Sequence, residues 1–167
     1  MENVGKRLGK GEKQEIISEI RKQVYEYRLT STSLAAEPIM VNDTQKIYDF
    51  LMTSVYDKDS IDVMESFYAV FVDSALNTKG FIKVGEGGVN GVIVDPKIVF
   101  SAALKCLAVG IVLTHNHPSG NCHSSEIDRQ LTKKLIAGGE LLDIKIIDHI
   151  IVSKNRYYSM KAYGELN

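Results

Sequence analysis

The sequence is poor in the features that would point to a membrane, a disulfide framework or a nucleic-acid surface. Among 167 residues there are two cysteines, too few for a disulfide scaffold, which predicts a reducing cytoplasmic setting. The 20 basic and 21 acidic residues leave a formal net charge of -1, which gives no general attraction to DNA or to anionic lipid. No apolar run approaches the ~18 residues that span a bilayer, and the first residues lack the apolar core of a signal peptide. We therefore expect one globular domain that does not insert into a membrane.

The first forty residues follow a different pattern from the rest of the chain. Residues 12–29 predict an amphipathic helix, with charges on one face and, on the other, Ile16, Ile17, Ile20 and Val24. Such a helix suits docking on a partner or on the main domain, and it is a reasonable homodimer contact. The stretch TSTSLAAEPIMVN is typical of a connection. We predict an N-terminal helix and connection in residues 1–40 and a single domain in residues 41–167.

The order of helix-type and strand-type patterns in this domain predicts an α/β sandwich. A helix is expected to begin at Asn42 or Asp43, either of which can cap its first turn. Its buried stripe would consist of Ile47, Phe50, Leu51 and Val55. The unbroken apolar run FYAVFV predicts a central strand covered on both faces, and Asn77 and Gly80 suit the turn into a second strand.

The segment VDPKIVFSAALKCLAVGIVLTHNHPSG predicts a helix followed by a buried strand. Asp95 can cap this helix and Pro96 suits its first position. Two rows at helical spacing predict its buried face: Ile98, Ala102 and Cys106, beside Val99, Ala103 and Leu107. Cys106 is therefore expected to be a small core residue and not a reactive thiol.

A third helix and further strands complete the predicted domain. The helix carries Ile127, Leu131 and Leu135 on one face and is expected to stop near Gly138 and Gly139. The run LLDIKIIDHIIVS predicts another strand, and NRYYSMKAYGELN predicts a tail lying on the surface. The resulting fold class is α/β, with a mixed β-sheet flanked by helices.

The stretch LTHNHPSGNCHSSEIDRQL holds three of the four histidines, and it admits a metal site, an HNH-type nuclease or an ordinary capped helix. His115 and His117 end a strand, where side chains two positions apart point the same way, with Cα atoms roughly 6.5 Å apart. Two imidazoles so placed can converge on zinc, which in catalytic sites takes three protein ligands and one water. Asp128 is the best third ligand, since it falls in the first turn of the next helix.

The capped helix and the HNH-type nuclease each explain fewer of these residues than a metal site does. Ser125 and Asp128 alone also fit a capping box, in which the serine and the acid three positions later bind each other's backbone N–H groups. A cap does not need the paired histidines, so both halves together favour metal ligation. HNH nucleases spread those three residues across a ββα-metal fold, and here they are consecutive. The HExxH pattern of helix-borne zinc proteases is absent.

The complete pattern, His-x-His, seven residues, Ser, two residues, Asp, resembles the JAMM motif of the JAB/MPN metalloproteases. VDPKIVFSAALKCLAVGIVLTHNHPSGN and ELLDIKIIDHIIVSKNRYYSM are similar to the RadC branch of bacterial JAB proteins, from about Val41 to Leu166. The resemblance implies a cytidine-deaminase-like JAB/MPN sandwich. It also implies zinc held by His115, His117 and Asp128.

The same resemblance implies the catalytic groups. Glu65, before the first core strand, would be the general base, and Glu86 in the Gly-rich turn is the alternative base. Ser125 would stabilise the oxyanion of the tetrahedral intermediate. The implied activity is zinc-dependent hydrolysis of peptide or isopeptide bonds by a zinc-activated water, in the bacterial cytoplasm.

Two other functions stay open. One is an accessory protein of DNA repair without protease activity, as RadC proteins are traditionally described, and the other is a non-catalytic MPN scaffold. The expected partners are a protein or peptide substrate and proteins of DNA repair or replication. Direct nucleic-acid binding is not expected, because the charge is near neutral and 167 residues leave no room for the helix-hairpin-helix region of full-length RadC proteins.

Three further residues lie near the motif. Cys122 and His123 are expected in an exposed loop, from which either could reach the open zinc position. His149, beside Asp148 in an apolar strand, is expected to be a hydrogen-bonded core residue or a partner of a metal ligand.

Overall fold

The computed structural model describes residues 37–87 and 91–166. The helix predicted over residues 12–29 lies outside these ranges. Within them, no helix is both long enough and apolar enough to cross a membrane.

In the described part of the chain, five strands form one mixed sheet. In chain order they are β1 Ser66–Val72, β2 Thr78–Glu86, β3 Gly110–Asn116, β4 Lys145–Ser153 and β5 Arg156–Ser159. Their order across the sheet is β2-β1-β3-β4-β5, with β3 and β4 parallel and the other neighbours antiparallel. Every residue of β1 and of β3 is buried, as expected for central strands with both faces covered. The prediction of a mixed sheet with a buried central strand is confirmed.

Helices cover both faces of this sheet. Helix α1 (Thr44–Phe50), extended by a π-helical turn over Leu51–Val55, packs on one face against side chains such as Val70 and Val112. Helices α2 (Pro96–Lys105) and α3 (Glu126–Glu140) pack on the other face. The α/β fold class is therefore confirmed, in three layers.

The capping residues predicted for the first two helices are confirmed. The Asp43 carboxylate accepts hydrogen bonds from the N–H groups of Gln45 (2.8 Å) and Lys46 (3.2 Å). Asp95 accepts one from the N–H of Lys97 at 2.9 Å, with a proline directly after it. Each acid thus stabilises a helix end whose first N–H groups have no partner within the helix.

The predicted buried face of α2 is wrong at two positions. Ile98 is 45% exposed and Leu107 is 79% exposed, whereas the buried side chains are Val99, Phe100, Ala102 and Ala103. Because α2 ends at Lys105, Leu107 no longer follows helical spacing, and its positive φ of 52° turns it out of the row. Cys106 is half-buried against the core and burial raises the pKa of its thiol, in line with the prediction of an unreactive cysteine.

The end of α3 also differs from the prediction. Leu135 is fully buried as expected, but Ile127 is 76% exposed at the first turn. The helix continues through both glycines to Glu140. A Cβ on Gly138 would lie 2.7 Å from the Phe100 ring, and one on Gly139 would lie 2.3 Å from the carbonyl oxygen of Ile144. These glycines therefore allow close packing and do not terminate the helix.

The predicted surface tail is wrong in its first half. Residues 156–159 form β5, which pairs with β4, and Met160 is fully buried. The buried carboxylate of Asp148 accepts hydrogen bonds from the Ser159 hydroxyl (2.6 Å) and from the N–H of Lys161 (3.0 Å). These bonds hold the C-terminal segment against the sheet.

Candidate metal centre

Strand alternation in β3 decides which side chains reach the candidate site. Leu113 and His115 face the layer of α2 and α3, whereas Thr114 and Asn116 face the layer of α1. The N–H of His117 donates to the carbonyl of Val152 at 3.0 Å, which continues the pairing of β3 with β4 beyond the assigned strand. Both histidines therefore project on one side of the sheet, as their spacing predicts.

A tight turn brings the next helix back over this strand end. The N–H of Gly120 donates to the carbonyl of His117 at 3.0 Å, with Pro118 in the turn. Gly120 has a φ of +79°, a left-handed conformation that glycine adopts without strain. Five residues after Gly120, Ser125 caps α3, and Asp128 lies in the first turn of that helix.

The two histidines and Asp128 meet at one point. The Nε2 atoms of His115 and His117 are 2.9 Å apart. Nε2 of His115 lies 3.3 Å from Oδ1 of Asp128, and Nε2 of His117 lies 3.7 Å from Oδ2. His115 and Asp128 are buried, and His117 is half-buried. The structure thus brings together the three residues that the sequence pattern singled out.

Asp128 takes part in a capping box and also faces the histidines. Its Oδ2 accepts hydrogen bonds from the N–H (2.7 Å) and the hydroxyl (2.6 Å) of Ser125, and its own N–H donates to that hydroxyl oxygen at 3.1 Å. Burial alone would raise the pKa of Asp128, but His115 and the Ser125 bonds outweigh it and hold the pKa well below its usual range. The capping box and the clustering of Asp128 with the two histidines, which the sequence offers as alternatives, therefore coexist.

The Nδ1 atoms of His115 and His117 each have a hydrogen-bond partner of their own. Nδ1 of His117 lies 2.5 Å from the carbonyl oxygen of Asn121, which can only accept, so this nitrogen carries the proton. Nδ1 of His115 lies 2.8 Å from Nε2 of His149. Only the Nε2 atoms face Asp128, and the Nε2 of a neutral His117 offers a lone pair there.

These donors fit a zinc ion. Two ring nitrogens and a carboxylate are the ligand types of a catalytic zinc, and ligands held at roughly 2.0–2.1 Å around a tetrahedral ion are about 3.3–3.4 Å apart. The Nε2–Nε2 separation of 2.9 Å and the distances to Asp128, 3.3 Å from His115 to Oδ1 and 3.7 Å from His117 to Oδ2, bracket that value. A cation between the carboxylate and the ring lone pairs would relieve the repulsion between these acceptors.

Glu65 also forms a possible metal-binding group with the two histidines. Each of Glu65, His115 and His117 offers a donor atom within 4.8 Å of the others. Burial raises the pKa of Glu65, and the two histidines partly offset this effect. A carboxylate with a raised pKa beside a metal site is suited to accepting and returning a proton.

Asn116, between the two histidines, is a residue that sequence reasoning missed. Its Nδ2 donates to the carbonyls of Ile61 (2.7 Å) and Met64 (2.8 Å), and its Oδ1 accepts from the N–H of Ser66 (2.8 Å). These bonds bind the segment that carries Glu65 to the strand that carries the histidines. The only signal in the sequence is a polar residue on the buried face opposite the histidines.

The hydroxyl of Ser125 is occupied in this structure. It donates to Asp128 at 2.6 Å, so contact with a substrate oxygen requires the hydroxyl to turn. The role of Ser125 in stabilising an oxyanion stays a prediction.

Glu86 is held by hydrogen bonds to other side chains. Glu86, the alternative base, is exposed, and its carboxylate accepts from Lys83 (2.7 Å) and Ser66 (3.3 Å). Lys83 lowers the pKa of Glu86, which makes it a poorer base than Glu65.

Cys122 and His123 are both predicted to be exposed; this prediction is wrong for Cys122 and confirmed for His123. Cys122 is 6% exposed and packs among Ile151, Tyr158 and Met160, because β5 covers the loop that contains it. Burial raises the pKa of its thiol. His123 is exposed and contacts the Tyr158 ring.

Comparison with known proteins agrees with this fold. A family profile described as the RadC-like JAB domain matches residues 41–165. A UPF0758 protein of Flavobacterium johnsoniae is 41% identical over 100 residues, which are 60% of this chain and 44% of that protein. UPF0758 proteins of Finegoldia magna (36% over 134 residues) and Thermotoga maritima (32% over 130 residues) match 80% and 77% of this chain, and 58% and 56% of their own lengths. The chain thus spans about half the length of these curated relatives.

Proposed function

The chain belongs to the RadC-like JAB family, and we propose that it is a zinc-dependent hydrolase of peptide or isopeptide bonds. The observation that carries this proposal is the convergence of His115, His117 and Asp128, with their donor atoms 2.9–3.7 Å apart. A capped helix alone would not need two ring nitrogens directed at its carboxylate.

In this proposal the two carboxylates have different roles. Asp128 completes the metal site, because both of its oxygens lie within 3.7 Å of a ring nitrogen and Ser125 holds it in place. Glu65 accepts a proton from the attacking water and returns it to the leaving amine. Bound zinc supplies the activation of that water and polarises the substrate carbonyl. The Ser125 hydroxyl turns from Asp128 to the oxyanion as it forms.

The proposed substrates are proteins or peptides, and the proposed setting is the bacterial cytoplasm. Both cysteines are free thiols, which suits a reducing compartment. A role beside proteins of DNA repair or replication is compatible with hydrolysis, since such proteins can themselves be substrates.

Zinc content and hydrolysis test this proposal together. Wild-type protein, His115→Ala and the matched control His123→Ala are purified without chelator, and zinc is measured by atomic absorption. We expect about one zinc per chain in the wild type and in His123→Ala, and little in His115→Ala. Equal zinc in all three proteins would refute the ligand assignment.

Activity is then measured on a fluorogenic peptide mixture and on an isopeptide-linked lysine peptide. We expect cleavage by the wild type and by His123→Ala only. If the zinc-loaded wild type cleaves neither substrate, the hydrolase proposal fails for both bond types.

A further inference from the structure

A continuous row of hydrogen bonds runs inward from His115. Its Nδ1 lies 2.8 Å from Nε2 of His149, and Nδ1 of His149 lies 2.6 Å from the hydroxyl of Thr132. That hydroxyl lies 2.6 Å from the backbone carbonyl oxygen of Asp128. The side chains of His115, His149 and Thr132 are buried, so water does not compete for these bonds.

The last acceptor fixes the direction of the row. The Asp128 carbonyl can only accept, so Thr132 gives it the single hydroxyl proton, and the Met160 sulfur at 3.6 Å is a much weaker acceptor. The Thr132 oxygen must then accept from Nδ1–H of His149. With that proton on Nδ1, Nε2 of a neutral His149 accepts from Nδ1–H of His115.

We propose that Thr132 and His149 are positioning residues that hold the proton of His115 on Nδ1, so that its Nε2 presents a lone pair to the metal. This inference rests on the proposed zinc site and names what prepares one of its ligands. In this row one ring nitrogen of His149 donates and the other accepts, which is the pattern of a neutral imidazole.

The arrangement couples two ligands of the site. Thr132 lies one helical turn after Asp128, so the turn of α3 that carries the carboxylate also sets the tautomer of the histidine facing it. Removing the hydroxyl leaves Nδ1–H of His149 without an acceptor, and the ring gains by moving its proton to Nε2. His115 must then place its own proton on Nε2, where it blocks the metal.

Thr132→Val removes the hydroxyl and keeps the shape, and Thr132→Ser is the matched control that keeps the hydroxyl. Zinc affinity is measured for the three proteins by competition with a chromophoric chelator. We expect Thr132→Ser to bind zinc like the wild type and Thr132→Val to bind it 10–100-fold more weakly, the usual effect of losing a partner of a ligating histidine. Equal affinity in all three would overturn the proposal.

A second measurement separates this proposal from the zinc site itself. Long-range proton–nitrogen NMR of zinc-free wild-type protein is recorded near pH 9, where an ordinary histidine of pKa about 6.5 is neutral. The proposal predicts Nδ1–H on both His115 and His149, and Nε2–H on His115 in Thr132→Val. Nε2–H on His115 in the wild type would overturn the proposal even if zinc binds. A wild type that binds no zinc but shows Nδ1–H on both rings would instead refute the proposed function alone.

Discussion

Asn116→Ala tests the link between the histidine strand and the segment that carries Glu65. The substitution removes three hydrogen bonds from a buried side chain. At a net ~1 kcal/mol for each bond, the free energy of unfolding should fall by about 3 kcal/mol. A small domain usually has about 5–15 kcal/mol of stability, so the variant should remain folded.

Urea unfolding followed by circular dichroism measures this change. Asn42→Ala is the control, since Asn42 is exposed just before the cap of α1, and we expect it to change stability by no more than ~0.5 kcal/mol. We further expect Asn116→Ala to bind zinc nearly as well as the wild type but to lose hydrolysis, because Glu65 is released while the ligands stay. A loss below ~1 kcal/mol with full activity would refute this account of Asn116.

Four further predictions concern the two carboxylates and the cap. Glu65→Gln should keep zinc and lose hydrolysis by roughly 10²–10⁴-fold, measured as initial rates, and loss of zinc would make Glu65 a ligand instead. Because burial raises the pKa of Glu65, its carboxyl in zinc-free protein should titrate above an ordinary glutamate, as carbon-13 NMR would measure, and a midpoint below that of an ordinary glutamate would contradict this expectation. In zinc-free protein the pKa of Asp128 is lowered, so the wild type should exceed Asp128→Asn in free energy of unfolding most above about pH 4, and by less as the pH falls further. Urea titrations at several pH values measure this difference, and a difference that grows as the pH falls would contradict the prediction. Ser125→Ala should cost about 1 kcal/mol through the lost cap, with no loss in urea unfolding counting against the capping box.

Local patterns were enough to predict much of this fold. Asp43 and Asp95 cap helices as predicted, because an acid before a helix acts on N–H groups two or three residues away. The seven buried residues of β1 follow from an unbroken apolar run. These features depend on short stretches of chain, which a single sequence displays.

The wrong predictions depend on distant contacts. Gly138 and Gly139 suggest a helix end, but the side chain of Phe100 and the backbone of Ile144 need the space they leave. The loop pattern around Cys122 predicts exposure, since the loop alone does not reveal that β5 covers this residue. Phe100 and β5 lie far from these residues in the sequence, whereas Ile144 is close to Gly139 but outside the helix.

Some residues of the candidate site could be predicted from local patterns and others could not. The convergence of His115, His117 and Asp128 could be predicted, because strand and helix spacing place them on one side of the sheet. Asn116 and Thr132 could not, since their partners belong to other segments of the chain. Their polar side chains become meaningful only once the layers are assembled.

Anomalous scattering at the zinc edge, from a crystal grown without chelator, tests the central claim most directly. We expect one peak roughly 2.0–2.2 Å from Nε2 of His115, Nε2 of His117 and an oxygen of Asp128, with Glu65 beyond bonding distance. A peak bonded to Glu65 in place of Asp128, or no peak beside the two histidines, would contradict it.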